Sequence, residues 1–225
     1  MESVARRYDL TMLYAVYEAF RRDTARLEAA PGPDGPAVAN TWSLFTSYWR
    51  IQDDAEKRAL WTVMYAKDAD EQAPDCGLGR RGLGRGGLGR VGVVLDRLAT
   101  QTLRVVPLID GVDAALEHRD PGMFARYAWE LRASLDALLE FKESNVLPLI
   151  QETLTPFEWG TFDVEFRREL GLRGLGTFLP WLLDGAPEPT RNAVLRLMPP
   201  PIRLCYRVTW RPRYRRRSHL AVPAC

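Results

Sequence analysis

Residues 49–61 read WRIQDDAEKRALW. Gln52 and Glu56 stand four apart and in step with Trp49 and Ala59, so one face of a helix carries an amide and a carboxylate between apolar side chains. Followed outward, the stripe runs Trp42, Phe45, Trp49, Gln52, Glu56, Ala59 and Val63. This is the 3–4 alternation of a bundle helix, with Asn40 or Thr41 able to cap its start.

Three more segments keep that step. Leu10, Leu13, Tyr17, Phe20, Thr24 and Leu27 form one stripe, and PGPDGP at 31–36 stops it. Leu95, Leu98, Thr102, Val105, Ile109, Val112 and Leu116 form another. The last runs through Phe124, Leu131, Leu135, Leu138, Lys142, Asn145 and Leu149; Phe141 borders it, so the inward position is either 141 or 142. Asp120–Pro121 supplies the short connection that antiparallel neighbours require. No strand-like alternation competes. The expected fold is all-α: an antiparallel up-down four-helix bundle over 1–152, followed by a helical C-terminal extension over 153–225.

Between the second and third helices, residues 76–92 read CGLGRRGLGRGGLGRVG, in which Gly-Leu-Gly-Arg recurs three times. A phosphate-cradling loop needs a strand before it and Gly-Lys-Ser/Thr at its end, and neither is here. A flexible linker is the reading, with RNA contact through its Arg-Gly content as the alternative. In the extension, Thr155–Pro156 followed by Glu158 marks a helix start. LGLRGLGTFLPWLLDG at 170–185 reads as a short apolar helix, buried or membrane-contacting.

Composition narrows the setting. The chain has 225 residues, 46% of them hydrophobic and 27% charged, enough for one sizeable core. Early charges at Glu2, Arg6, Arg7 and Asp9 do not fit a signal peptide, and no apolar run approaches the roughly 20 residues that span a bilayer. Cys76, Cys205 and Cys225 are an odd count without metal-ligand spacing, which points to a reduced, cytoplasmic protein. Lysine is nearly absent beside arginine, and Ala, Gly and Pro are abundant, as in a GC-rich bacterial genome. From Pro189 onward there are nine arginines and no acid, which leaves the preceding 188 residues at a net −7. The basic tail, densest at Arg211, Arg213, Arg215, Arg216 and Arg217, either folds onto the acidic body or meets a nucleic acid or anionic membrane.

The polar residues on inward stripes carry the functional signal. Tyr17, Gln52, Glu56, Thr102 and Lys142 stand at comparable depth in four helices, like a cross-section built around a shared centre. Buried polar groups must find partners or cost a few kcal/mol each.

Four segments, LYAVYEAFRRDTARLEAA (13–30), WSLFTSYWRIQDDAEKRALW (42–61), LDRLATQTLRVVPLIDGVDAAL (95–116) and LLEFKESNVLPLIQETLTPFEW (138–159), resemble the bacterial hemerythrin-like family of cation-binding HHE domains. The C-terminal part is similar to the extension of actinobacterial members. The resemblance implies a four-helix bundle whose interior holds a non-haem di-iron centre on histidines and carboxylates. Carried over position by position, it implies family histidines at Tyr17, Gln52, Thr102 and Leu138, a further one at Phe141, and glutamates at Glu56 and Lys142. Only Glu56 keeps a ligand type. His118 and His219 lie outside the stripes.

Iron or zinc needs several deprotonated imidazole, thiolate or carboxylate ligands in fixed geometry, which this set does not supply. The expectation is therefore a degenerate, metal-free hemerythrin-like protein without cofactor, acting by binding a partner protein or small ligand rather than as an enzyme. Lys142 beside Glu56 would then supply positive charge where the family has cations. The alternatives are an iron protein handling oxygen or nitric oxide through an atypical ligand set, and a nucleic-acid or membrane binder using the tail. An acid–base site at Glu56 with Lys142 or Tyr17 is a further option.

Overall fold

A computed structural model describes residues 8–72 and 89–220, with the backbone alone at 172, 173 and 217–220. The described residues are helical throughout, without a strand. The elements are α1 (Thr11–Glu28), α2 (Pro36–Glu56), a π turn (Lys57–Trp61), α3 (Thr62–Gln72), α4 (Arg90–Glu117), α5 (Pro121–Phe141), a second π turn (Lys142–Val146) and α6 (Leu147–Thr153). After these come α7 (Pro156–Leu182), α8 (Glu188–Leu197), α9 (Pro200–Cys205), a third π turn (Tyr206–Trp210) and α10 (Arg211–Leu220). Most of the linker, Cys76 and Cys225 lie outside the described residues, as do the side chains of Arg217 and His219. Arg90, Val91 and Gly92, expected in the linker, form the first turn of α4 instead.

Helix boundaries follow local chemistry. α2 begins at Pro36, ahead of the expected caps Asn40 and Thr41, because proline fits the first helical position without losing a hydrogen bond. Asp120 caps α5, its carboxylate accepting from the N–H groups of Gly122 and Met123 at 2.9 Å each. The short connection through His118–Asp120 folds α4 and α5 into an antiparallel hairpin. Where they pack, a Cβ on Gly111 would lie 2.6 Å from the Tyr127 ring, so any side chain there would have to displace that ring. Thr155 and Glu158 form a reciprocal capping box at the start of α7. That helix is broken at Gly171, whose φ of 63° is costly for any residue with a side chain.

The α1 stripe is buried as read from the sequence, as are the α2 and α5 stripes up to their π turns. In α4, Leu95, Leu98, Val105 and Val112 are buried but Thr102, Ile109 and Leu116 are half-buried. Beyond the second π turn Leu149 is buried as read. Each π turn inserts one extra residue, which rotates the rest of its helix by about a quarter turn. Val63 is only half-buried and Asn145 is exposed, whereas their neighbours Met64 and Val146 are fully buried. α1 packs on α2 and α5, and α3 packs on α4.

The extension shares the same core. α7 lies against α2 and the first π turn, and Trp181 meets Phe20 and Tyr48 with ring centroids 5.6 and 4.4 Å apart. Phe178, Leu179, Trp181, Leu182 and Leu183 are buried, so FLPWLLDG gives its apolar surface to the interior. Asp23 ties this end down. It accepts from the Trp181 indole N–H at 2.6 Å and pairs with Arg22, which also donates to the carbonyls of Trp181 and Asp184.

Candidate functional site

Glu56 closes α2 and Lys142 opens the π turn after α5, so both lie where a helix changes its winding. π turns inside helices are frequent at functional sites. Neighbours hold Lys142 in place from both directions. Phe141, itself buried, lies under the Arg97 guanidinium of α4 at 5.3 Å, and Glu143 takes a two-pronged ion pair from Arg21 of α1 at 2.7 and 2.9 Å. The choice between positions 141 and 142 is resolved by burying both.

Lys142 Nζ donates to Glu56 Oε2 at 2.6 Å, with the two side chains 5% and 1% exposed. Glu56 Oε1 accepts from the Tyr17 hydroxyl at 3.1 Å and from Gln52 Nε2 at 2.9 Å. The Lys142 ammonium also faces the rings of Tyr17 and Trp49, 5.5 and 5.8 Å from their centroids, where the π faces attract a cation. Burial and the adjacent Glu56 hold the Tyr17 phenol well above its ordinary pKa, so it keeps its proton and donates. Four of the inward polar residues named from sequence therefore form one hydrogen-bonded cluster.

Thr102 does not join that cluster as a partner of Glu56. It is half-buried, and its hydroxyl donates to the Leu98 carbonyl one turn back, as threonine in a helix commonly does. Leu138 is fully buried core. The tail arginines Arg213, Arg215 and Arg216 are exposed, and Arg211 is half-buried.

Thr102 has another place, in the wall of a cavity of about 430 Å³. Its charged lining is two ion pairs, Glu56 with Lys142 and the more exposed Asp53 with Lys57. Leu95, Leu98, Leu103 and Val106 line the α4 side, and Trp61 and Tyr65 line the other. The volume lies in the range of small-molecule sites, which are mostly apolar with a few convergent polar groups. Tyr65 hydrogen-bonds Asp96 at 2.9 Å, and burial together with that carboxylate pushes its phenol pKa up to about 12. Trp61 and Tyr65 were missed from sequence, because the π turn carries α3 out of register with the α2 stripe. The one available signal was the aromatic pair bracketing Thr62–Met64. A second cavity of about 290 Å³ lies between α1 and α7, with Gln52 in its lining.

A di-iron centre does not fit these residues. Both Glu56 oxygens already accept from protein donors, and the facing positions offer a phenol, an amide, an ammonium and hydrocarbon. An ammonium placed 2.6 Å from the carboxylate opposes a metal cation electrostatically. No protein-family model, curated protein or solved structure matches the chain.

Proposed function

We propose that the chain is a degenerate, metal-free hemerythrin-like protein that binds a small, largely apolar molecule without transforming it. On this reading α1, α2 with α3, α4, and α5 with α6 are the four antiparallel members of the bundle, and α7–α10 are its extension. The Glu56–Lys142 ion pair in the lining of the 430 Å³ cavity carries the proposal. It supplies one positive and one negative group at the level where the related bundles would hold cations. The rest of the lining is mixed, with Leu95, Leu98, Leu103, Val106 and Trp61 beside Asp53, Lys57, Thr62 and Thr102. Both Glu56 oxygens are already engaged by protein donors, which favours binding over acid–base chemistry. A ligand with an apolar body and one accepting oxygen matches the walls and the Lys142 donor.

Two measurements test this. Reconstitution with ferrous iron followed by metal analysis should give far less than one iron per chain, and stoichiometric iron would overturn the metal-free reading. Titration with the fluorescent probe anilinonaphthalene sulfonate should give saturable binding to the native protein. Thr102→Phe fills the cavity and should weaken that binding by about tenfold or more, with a melting temperature within a few degrees of the parent. Unchanged probe binding in a folded Thr102→Phe protein would place the ligand elsewhere.

A further inference from the structure

We infer that the segment from Pro200 to Leu220 docks flat on an anionic membrane surface. Its inward side is already used. Tyr206 is buried, and Ile202, Trp210 and Tyr214 are half-buried against the core. On the opposite side Leu204 and Val208 are 63% and 67% exposed, and exposed Pro212 continues the same four-residue step. Arg203, Arg207, Arg211 and Arg215 form a second row at that step, about 100° round the helix from the apolar one. Arg207 and Arg215 are exposed, Arg203 and Arg211 half-buried, and Arg213 and Arg216 are exposed near its end. None of these arginines forms an ion pair with a described residue. No Asp or Glu follows Pro189, and Asp184, the acid that reaches Tyr206 and Tyr214 of this segment, is ion-paired to Arg26.

An exposed apolar ridge flanked by long cationic side chains matches a bilayer interface. Aliphatic groups enter the boundary of headgroups and acyl chains, while arginines extend to the phosphates. Each cation near an anionic leaflet contributes about a fivefold gain in binding. A nucleic acid would use the same charge, but single-stranded binding also draws on aromatic rings that stack with bases. Here Tyr206, Trp210 and Tyr214 are turned toward the core, and the outward ridge is aliphatic. Among the described residues no helix is long and apolar enough to cross a membrane, so the contact is peripheral.

The test is co-sedimentation of the full chain with vesicles of phosphatidylcholine alone and with phosphatidylglycerol added. Binding should require the anionic lipid and fall as salt is raised. Arg207→Gln with Arg215→Gln should weaken it about thirtyfold, from two charges at about fivefold each. Leu204→Ser with Val208→Ser should weaken it about tenfold, since the ridge no longer inserts. These side chains point outward, so the variants should melt with the parent. Absence of binding, or equal binding to both vesicle types, would overturn the proposal. So would a Leu204→Ser/Val208→Ser protein that keeps its vesicle affinity while the parent binds a single-stranded oligonucleotide equally tightly, because the arginines would then serve nucleic acid.

Discussion

Two carboxylates, Glu56 and Asp23, are buried to the same extent, each 1% exposed, but in different company. Asp23 is held by the adjacent Arg22, by Arg26 one turn on, and by the indole of Trp181 from α7. Its partners close over it, and it joins the extension to α1. Glu56 takes its three donors from α1, α2 and the π turn after α5, and one side of it faces a cavity between α2 and α4. Depth alone thus does not distinguish a structural tie from a site. Partner origin and neighbouring space do. The donors of Asp23 close over it, whereas those of Glu56 leave a cavity on the side of α4.

The sharpest way to break this comparison is to remove Lys142. Lys142→Met leaves Glu56 buried without its counter-charge and should cost about 3–5 kcal/mol in urea unfolding, the usual penalty for an uncompensated buried charge. The double variant Glu56→Leu/Lys142→Met removes the pair together and should recover most of that loss. If the double variant is instead destabilised by the sum of the two single losses, the residues are not coupled and the central cluster is not a unit.

Asp23→Ala should be the next largest effect. It leaves the Trp181 indole N–H without its acceptor and Arg22 without its carboxylate, at about 2 kcal/mol. Probe binding in the cavity should not change, because none of the residues that hold Asp23 lines it. A coupled loss of probe affinity would erase the distinction between tie and site. Tyr17→Phe should cost less, about 1.5 kcal/mol, since Gln52 still donates to Glu56 Oε1. Its iron content after reconstitution should stay at the parent level. Iron uptake in this variant would mean that the phenol had been blocking a metal.

Much of this was legible in the sequence, for identifiable reasons. Helix signals such as the PGPDGP stop, the short Asp120–Pro121 connection and the Thr155–Glu158 start depend on residue type alone, so they could be read directly. The approach of Glu56 to Lys142 came from matching two stripes, since Glu56 closes α2 and Lys142 is the first residue of its π turn, where the stripe has not yet been displaced. The register around the π turns was legible only in part, since Leu149 is buried as read. A π turn inserts one residue without a sequence signature, and the pattern reading extrapolated to Val63 and Asn145 where the molecule buries Met64 and Val146. The cavity was hidden for the same reason, because Trp61 and Tyr65 belong to the displaced register. Asp23 escaped notice because it sits one position before Thr24 on the stripe, and its partner Trp181 is 158 residues away.

The smallest expected effect is a pH dependence at Asp23. Burial outweighs Arg22, Trp181 and Arg26 and raises its pKa above the ordinary 3.8. Below the unfolded value the carboxyl is neutral in both states, and its contribution to stability is fully present. As pH rises through the folded value, the native protein must ionise a buried group, and that contribution is lost. Asp23→Asn has no such titration. The stability of the parent relative to Asp23→Asn should therefore decline as pH rises above about 4 and level off once Asp23 is ionised in the folded state. Urea midpoints of the two proteins, measured side by side at each pH, check this, because shifts at other groups cancel in the difference. A parent that gains on Asp23→Asn over the same range would show that the arginine and indole contacts outweigh burial. Asp23 would then be an ordinary ion-paired carboxylate, and its contrast with Glu56 would rest on the cavity alone.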